Sequence, residues 1–258
     1  MTDLTSRPAA TSVIEECLRR HSTTPPRGSA ARLFGVRPLA AETQSWFVGA
    51  IGELRVGELL ENLGPEWTVL HAVPTGNAET DIDHVVIGPG GVFSINTKHH
   101  AGKSIWVSPE VLMVGGQKKG HLRNSRSEAK RASKALGVEV TPIIALIGVE
   151  KLTVKEHPGD VEVMRASNLV RWLNKRPVVF SAAQIADVSA LASHARTWHT
   201  THTGVFDPNQ VARFQDLQQE VSTARTRRVL WSLVAIAAIG VVGFFALQAL
   251  PSLLRSII

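Results

Sequence analysis

Asp81 and Asp83 stand two residues apart in TDIDHVVI (80–87), and Asn96 and Lys98 stand two apart in SINTK (94–98). Alternation along extended chain puts Asp81, Asp83, Val85 and Ile87 on one face of the first segment. By the same parity Ser94, Asn96 and Lys98 share a face of the second. The turn Gly88-Pro89-Gly90-Gly91 joins the two segments as antiparallel neighbours, so Asp83 can lie near Asn96 and Lys98 at the end away from the turn. A carboxylate at the end of a core strand is costly unless something pairs with it. A divalent cation would do so, and oxygen donors suit Mg²⁺ or Mn²⁺. A neighbouring lysine can then orient a water or help to deprotonate it. Glu53, on an upstream helical segment one turn before Gly57, adds a further acid, and Asp81 is a candidate fourth oxygen ligand. The plain alternative is a strand-edge ion pair between Asp83 and Lys98.

A basic cluster follows. Residues 102–134 hold Lys103, Lys118, Lys119, Arg123, Arg126, Lys130, Arg131 and Lys134 against Glu110 and Glu128 only. Arg123, Arg126, Lys130 and Lys134 recur at helical spacing and form a ridge. Beside a cation site, such a ridge suits a phosphate backbone; alone, it is an ordinary solvated face. No aromatic residue interleaves with it, which disfavours recognition of single strands by base stacking. His99-His100 could donate to phosphate, and His199 and His202 lack nearby partners for a zinc site. GPGG opens no helix and is not a phosphate loop.

The elements that would position these residues are legible as patterns. Trp46–Leu63 has helical spacing, and Gly64-Pro65 ends it. Short strands are expected at 67–73, 80–87, 91–98, 104–107 and 111–114. A helix is expected from about Ser125 to Leu136, with Asn124 at its start. A strand buried on both faces is expected at 141–149, where the apolar run is unbroken. Further short elements are read at 161–164, 169–176 and 182–197, and a helix at 209–228. Residues 1–44, rich in Ser, Thr, Pro, Ala and Arg, read as a flexible arm. Within that arm SVIEECLRR (12–20) is one amphipathic piece, and its Cys17 reads as a small apolar contact.

The chain has 258 residues, 44% hydrophobic and 19% charged, enough to bury a core. Its net charge of +6 favours anionic partners. One cysteine excludes an internal disulfide framework, and MTDLTSRPAATS has no apolar core of a signal peptide. Residues 229–250 carry no charge over 22 positions, about 33 Å of helix, which predicts a transmembrane helix through a lipid bilayer. Arg225, Arg227 and Arg228 precede this stretch, and the tail at 251–258 has only Arg255. The positive-inside rule therefore puts the soluble part on the cytoplasmic side of the membrane, with Trp231 as an interfacial anchor or plain filling.

Gly52-Glu53, the run TDIDHVVIGPGGVFSINTK and the following HHAGKSIWV together resemble the nuclease-related domain (NERD) family, a branch of the PD-(D/E)xK nuclease-like superfamily. The resemblance covers about 45–150. The continuation LTVKEHPGDVEV…LVRWLNKRPVVF looks like the extension of actinobacterial members. The resemblance implies an α/β fold with a three-layer α/β/α restriction-endonuclease-like core and a central mixed sheet. It implies a nuclease-like domain at 45–150 with an α/β extension at 151–204; the residue pattern itself adds a juxtamembrane helix at 205–228 and the span at 229–250. The resemblance also implies Mg²⁺-dependent hydrolysis of phosphodiester bonds. Glu53 matches the acid of the family's first helix, Asp83 its metal-binding aspartate and Lys98 the lysine of its ExK motif. Asn96 stands where the family usually has Glu. Asn124 falls at the later Gln motif, and the basic residues 103–134 would hold DNA or RNA. Two functions are compatible with this pattern: a membrane-anchored nuclease, or a catalytically weak or inactive relative that binds nucleic acid or protein at the membrane.

Overall fold

The computed structural model describes residues 3–75, 81–198, 207 and 209–255, with side chains to residue 245. His199 and His202 lie outside the described residues, as does the end of the tail. The elements in chain order are α1 (Thr11–Ser22), α2 (Ser29–Leu33), α3 (Ala41–Leu60), β1 (Thr68–Pro74), β2 (Asp81–Gly88) and β3 (Gly91–His99). There follow β4 (Ser104–Val107), β5 (Leu112–Val114), β6 (Gln117–Lys119), α4 (His121–Leu136), β7 (Val140–Ile147), β8 (Lys151–Val154) and β9 (Glu162–Arg165). The last are α5 (Leu169–Asn174), α6 (Ala182–Ser193) and α7 (Asn209–Arg255). The chain divides into two compact units, residues 1–17 with 45–207 and residues 18–44 with 208–258.

The first unit is built on a five-stranded mixed sheet in the order β1-β2-β3-β7-β9. β1, β2 and β3 are antiparallel, and the pair Gly88↔Gly91 closes the expected hairpin. β7 joins β3 in parallel, and β9 joins β7 in parallel. Strand parity sorts the core onto two faces. Val85, Ile87 and Val92 pack with Ala129, Ala132 and Leu136 of α4 and Val188 and Ala192 of α6. Val86, Phe93, Ile95, Ile143 and Ala145 pack with Val56 and Leu60 of α3 and Leu169 and Leu173 of α5. Helices therefore cover both faces, which is why β7 reads as a continuous apolar run. A second sheet, β6-β5-β4-β8, joins a core with Leu122, Ile144, Leu146 and Val163.

Several expectations change. The supposed flexible arm contains α1 and α2, and Leu4, Ala10, Ile14 and Cys17 are buried. Burial pushes the Cys17 thiol up to about 11, in keeping with a packing role. The composition that suggested mobility hides a few apolar residues at helical spacing, and these suffice to dock the segment. The 151–204 region adds β9 to the main sheet and α5 and α6 to its two faces, so it completes the core. β6 is three exposed polar residues and β8 is only partly buried, so neither carries a strong hydrophobic signal. α7 runs unbroken from Asn209 to Arg255, making the juxtamembrane segment and the apolar stretch one helix. Its described part, Asn209–Phe245, is long and apolar enough to cross a membrane, and its most apolar window is 0% buried.

Candidate functional site

Asp83 occupies a gap in the sheet. The β1–β2 register pairs His71 with His84 and Val73 with Ile82 but skips Ala72 and Asp83. Ala72 has a φ of 46°, a left-handed conformation that breaks the ladder there. On the other side, the last β2–β3 pair is His84↔Ile95. The Asp83 carboxylate fills the vacated acceptor position: its Oδ2 accepts the Thr97 N–H at 2.6 Å. Lys98 follows Thr97, and its Nζ donates to the Thr97 carbonyl at 3.0 Å.

Glu53 approaches from α3. Gly52 makes this possible, because a β-carbon there would lie 3.2 Å from His99 Cβ and 3.3 Å from Thr97 Cγ2. The helix thus sits close on the end of β3, with the Glu53 carboxyl buried beside it. Burial raises the Glu53 pKa well above the usual carboxylate value, and Asp83 raises it further while Lys98 opposes. Asp83 is also raised by burial, with Lys98 and the Thr97 N–H pulling it back.

Asn96 points to α4. Its Nδ2 donates to both carboxylate oxygens of Glu128, each at 2.7 Å, and both side chains are buried. Among the described residues nothing donates to Asn96 Oδ1, although that oxygen is buried. Burial first, then Asp83, pushes Glu128 up to about 7, against lowering by the Asn96 bond and Lys98. Glu128 is the residue that sequence reasoning missed. In the sequence it reads only as an acid within a basic helix. The available signal was its spacing: with Leu122, Ser125, Ala129, Ala132 and Leu136 it lies on the buried face of α4, a costly place for an unpartnered carboxylate.

Other candidates separate from this group. Asp81 is engaged by Arg7 at 3.3 Å and by the Ser12 hydroxyl, so the start of the chain occupies it, although it still raises Glu53 and Asp83. Asn124 does not start a helix; α4 begins at His121, and the Asn124 N–H already bonds the Gly120 carbonyl at 3.0 Å. Arg126 is held by Asp160 at 2.6 and 2.8 Å and faces Glu110 at 3.7 Å, which removes it from a free basic ridge. Lys103, Lys118, Lys119, Arg123, Lys130 and Lys134 are exposed. His99 Nδ1 meets the Val48 carbonyl at 3.2 Å, tying β3 to α3. His100 and His121 stack with Nε2 atoms 3.1 Å apart. Burial, with Lys98 adding to it, lowers both, His121 to about 4, which favours the neutral rings.

The carboxyls of Glu53, Asp83 and Glu128 thus come from a helix on one face, a strand gap and a helix on the other face, with Glu53 and Glu128 buried, and Lys98 acts on all three electrostatically. Residues 48–147, from within α3 to the end of β7, match the family model of the nuclease-related domain. The chain carries a nuclease-related domain. No curated protein and no solved structure matches the chain. All four residues of the acid–lysine group fall inside the matched nuclease-related domain. Among the described residues, no three His, Cys, Asp or Glu side chains are gathered as a ready metal-ligand set. The surroundings nevertheless favour added positive charge: three raised carboxyls share one lysine, and the Asn96 Oδ1 lacks a donor.

Proposed function

We propose that the protein is a membrane-anchored nuclease of the actinobacterial NERD type, with a restriction-endonuclease-like core that hydrolyses phosphodiester bonds of DNA or RNA on the cytoplasmic side. What supports this reading is that Lys98 acts electrostatically on Glu53, Asp83 and Glu128, which come from three different elements of the matched domain. Mg²⁺ or Mn²⁺ is the cofactor proposed, with Asp83 and Glu53 as charged ligands and Asn96 Oδ1 as a neutral one. Such an ion, when bound, supplies Lewis acidity and a water of lowered pKa. Glu128 supplies the carboxylate that Asn96 lacks. Its carboxyl, pushed up to about 7, exchanges a proton near neutral pH. The Lys98 ammonium orients the attacking water and offsets negative charge developing on the phosphate. Exposed Lys103, Lys118, Lys119, Arg123, Lys130 and Lys134 hold the backbone. The exposed apolar stretch of α7 anchors the chain as a single span.

A second reading also has an observation behind it. The Asn96 amide occupies both oxygens of Glu128, and the acids are not gathered as ligands. A domain that keeps this arrangement would bind nucleic acid or a protein partner without cleaving. The full chain in nanodiscs, given plasmid or RNA with Mg²⁺ or with EDTA, separates the two. Degradation abolished by EDTA and by Lys98→Ala establishes the nuclease. Salt-sensitive retention without cleavage, unchanged by EDTA, establishes the binding module.

A further inference from the structure

The second unit contains a short apolar turn with no role in the acid–lysine site. Leu33, Phe34 and Val36 at the end of α2 are 53%, 50% and 52% exposed. Three exposed apolar side chains in four residues are unusual on a short turn in water. This turn is also fixed in place. Arg227 donates to the Arg32 carbonyl at 2.9 Å, Arg228 to the Gly35 carbonyl at 3.1 Å, and Trp231 Nε1 to the Leu33 carbonyl at 2.9 Å. Phe34 and Trp231 pair with ring centroids 5.0 Å apart. Arg27 reinforces the strap, bonding Glu220 at 2.6 Å and the Val36 carbonyl. Gly35 lies against the helix with φ +69°; a β-carbon there would come within 2.4 Å of the Ala224 carbonyl and 2.6 Å of the Arg228 nitrogen.

These bonds put the turn level with residues 227–231 of α7. The uncharged stretch starts at Val229, so that level is the point where the helix changes from basic to apolar. Arg32, Arg37, Arg225 and Arg227 are exposed around it. Apolar and aromatic side chains with flanking arginines at one height suit the boundary between headgroups and acyl chains. Charged headgroup phosphates would meet the arginines there.

We propose that the Arg32–Arg37 turn is a second lipid-contacting element, a wedge strapped to α7 that inserts Leu33, Phe34 and Val36 into the membrane interface. It rests on the reading of α7 as a span. The wedge fixes how deep the span sits and limits its rotation, because two segments far apart in sequence then grip the same interface.

The test uses the full chain with Cys17→Ala, reconstituted in phosphatidylcholine–phosphatidylglycerol vesicles. An environment-sensitive fluorophore is placed at Phe34→Cys, at Val242→Cys, or at Lys130→Cys as an aqueous control. Phospholipids with a nitroxide at a shallow or a deep acyl position serve as quenchers. The expected result is a blue shift at position 34 with loss of intensity by the shallow quencher, and deep quenching at 242. A water-like signal at 34 with deep quenching at 242 overturns the wedge and leaves the span standing. Water-like signals at both positions overturn the span and the wedge with it. Gly35→Leu, which the close approach forbids, should abolish the shift at 34 and leave 242 quenched. Persistence of the shift at 34 would overturn the strapped geometry.

Discussion

At the scale of single residues, Glu128 changes what the Asn96 position means. A buried carboxylate on the opposite helix lies 2.7 Å from the Asn96 amide nitrogen, and the proposed site can draw on it. Two consequences can be measured. The Glu128 carboxyl is raised from 4.5 to about 7, so the folded state binds more protons than the unfolded state between those values. The stability this group contributes is full below about pH 4.5 and is lost as pH rises through about 7. Glu128→Gln should remove that pH dependence and raise the thermal midpoint above pH 7, by a free energy on the order of 3 kcal/mol at most. An unchanged slope between pH 5 and 7.5 would count against it. Asn96→Glu should not simply restore a family motif. It places a second buried carboxylate against Glu128 and should cost on the order of 3 kcal/mol in metal-free protein. Asn96→Glu with Glu128→Gln should recover the loss, which denaturant melts of the single and double variants would read directly.

At the scale of elements, the site depends on two close approaches and a broken ladder. α3 reaches β3 because Gly52 has no side chain, and the same contact sets the place of Glu53. Gly52→Val should drive α3 off β3, costing about 1–3 kcal/mol. It should also remove any Lys98-dependent cleavage, although no reacting group is altered. Measuring stability and cleavage on one preparation tests this; full activity with a lowered melting point would show that Glu53 does not need that placement. The gap at Ala72 and Asp83 frees a strand carboxylate from ladder geometry. Asp83 is thereby held by a backbone N–H, and its charge acts on Glu53 and Glu128 of the helices on the two faces.

At the scale of the molecule, the two proposed kinds of partner rest on a basic surface and an apolar helix. The basic surface is smaller than its composition, since Arg126 is engaged by Asp160 and Glu110. If nucleic acid lies across the remaining side chains, removing Lys118 and Lys119 together should lower the slope of log affinity against log salt by about 0.7–0.9 per lost phosphate contact. Arg126→Ala should leave the slope unchanged and lower stability only. Filter binding over a range of salt concentrations distinguishes them, and equal slopes for all three proteins would remove this face from the binding surface.

Features that depend on local order are legible in the chain before it folds. Parity along TDIDHVVI and SINTK, with GPGG between, specified the hairpin of β2 and β3. The uncharged run from Val229 specified an apolar helix, and the elements that carry Glu53, Asp83 and Lys98 were legible from their periodicity. Which residues meet across elements is set by packing. Nothing in the order of residues pairs Asn96 with Glu128, 32 positions later, or Arg7 with Asp81, 74 positions later. Nor does it take Arg126 out of its ridge or lay Leu33 beside Trp231. Hydrophobic periodicity reports which face of an element is buried. A buried polar group is satisfied by whatever partner packing brings to it, and that partner is chosen by the way helices and strands stack.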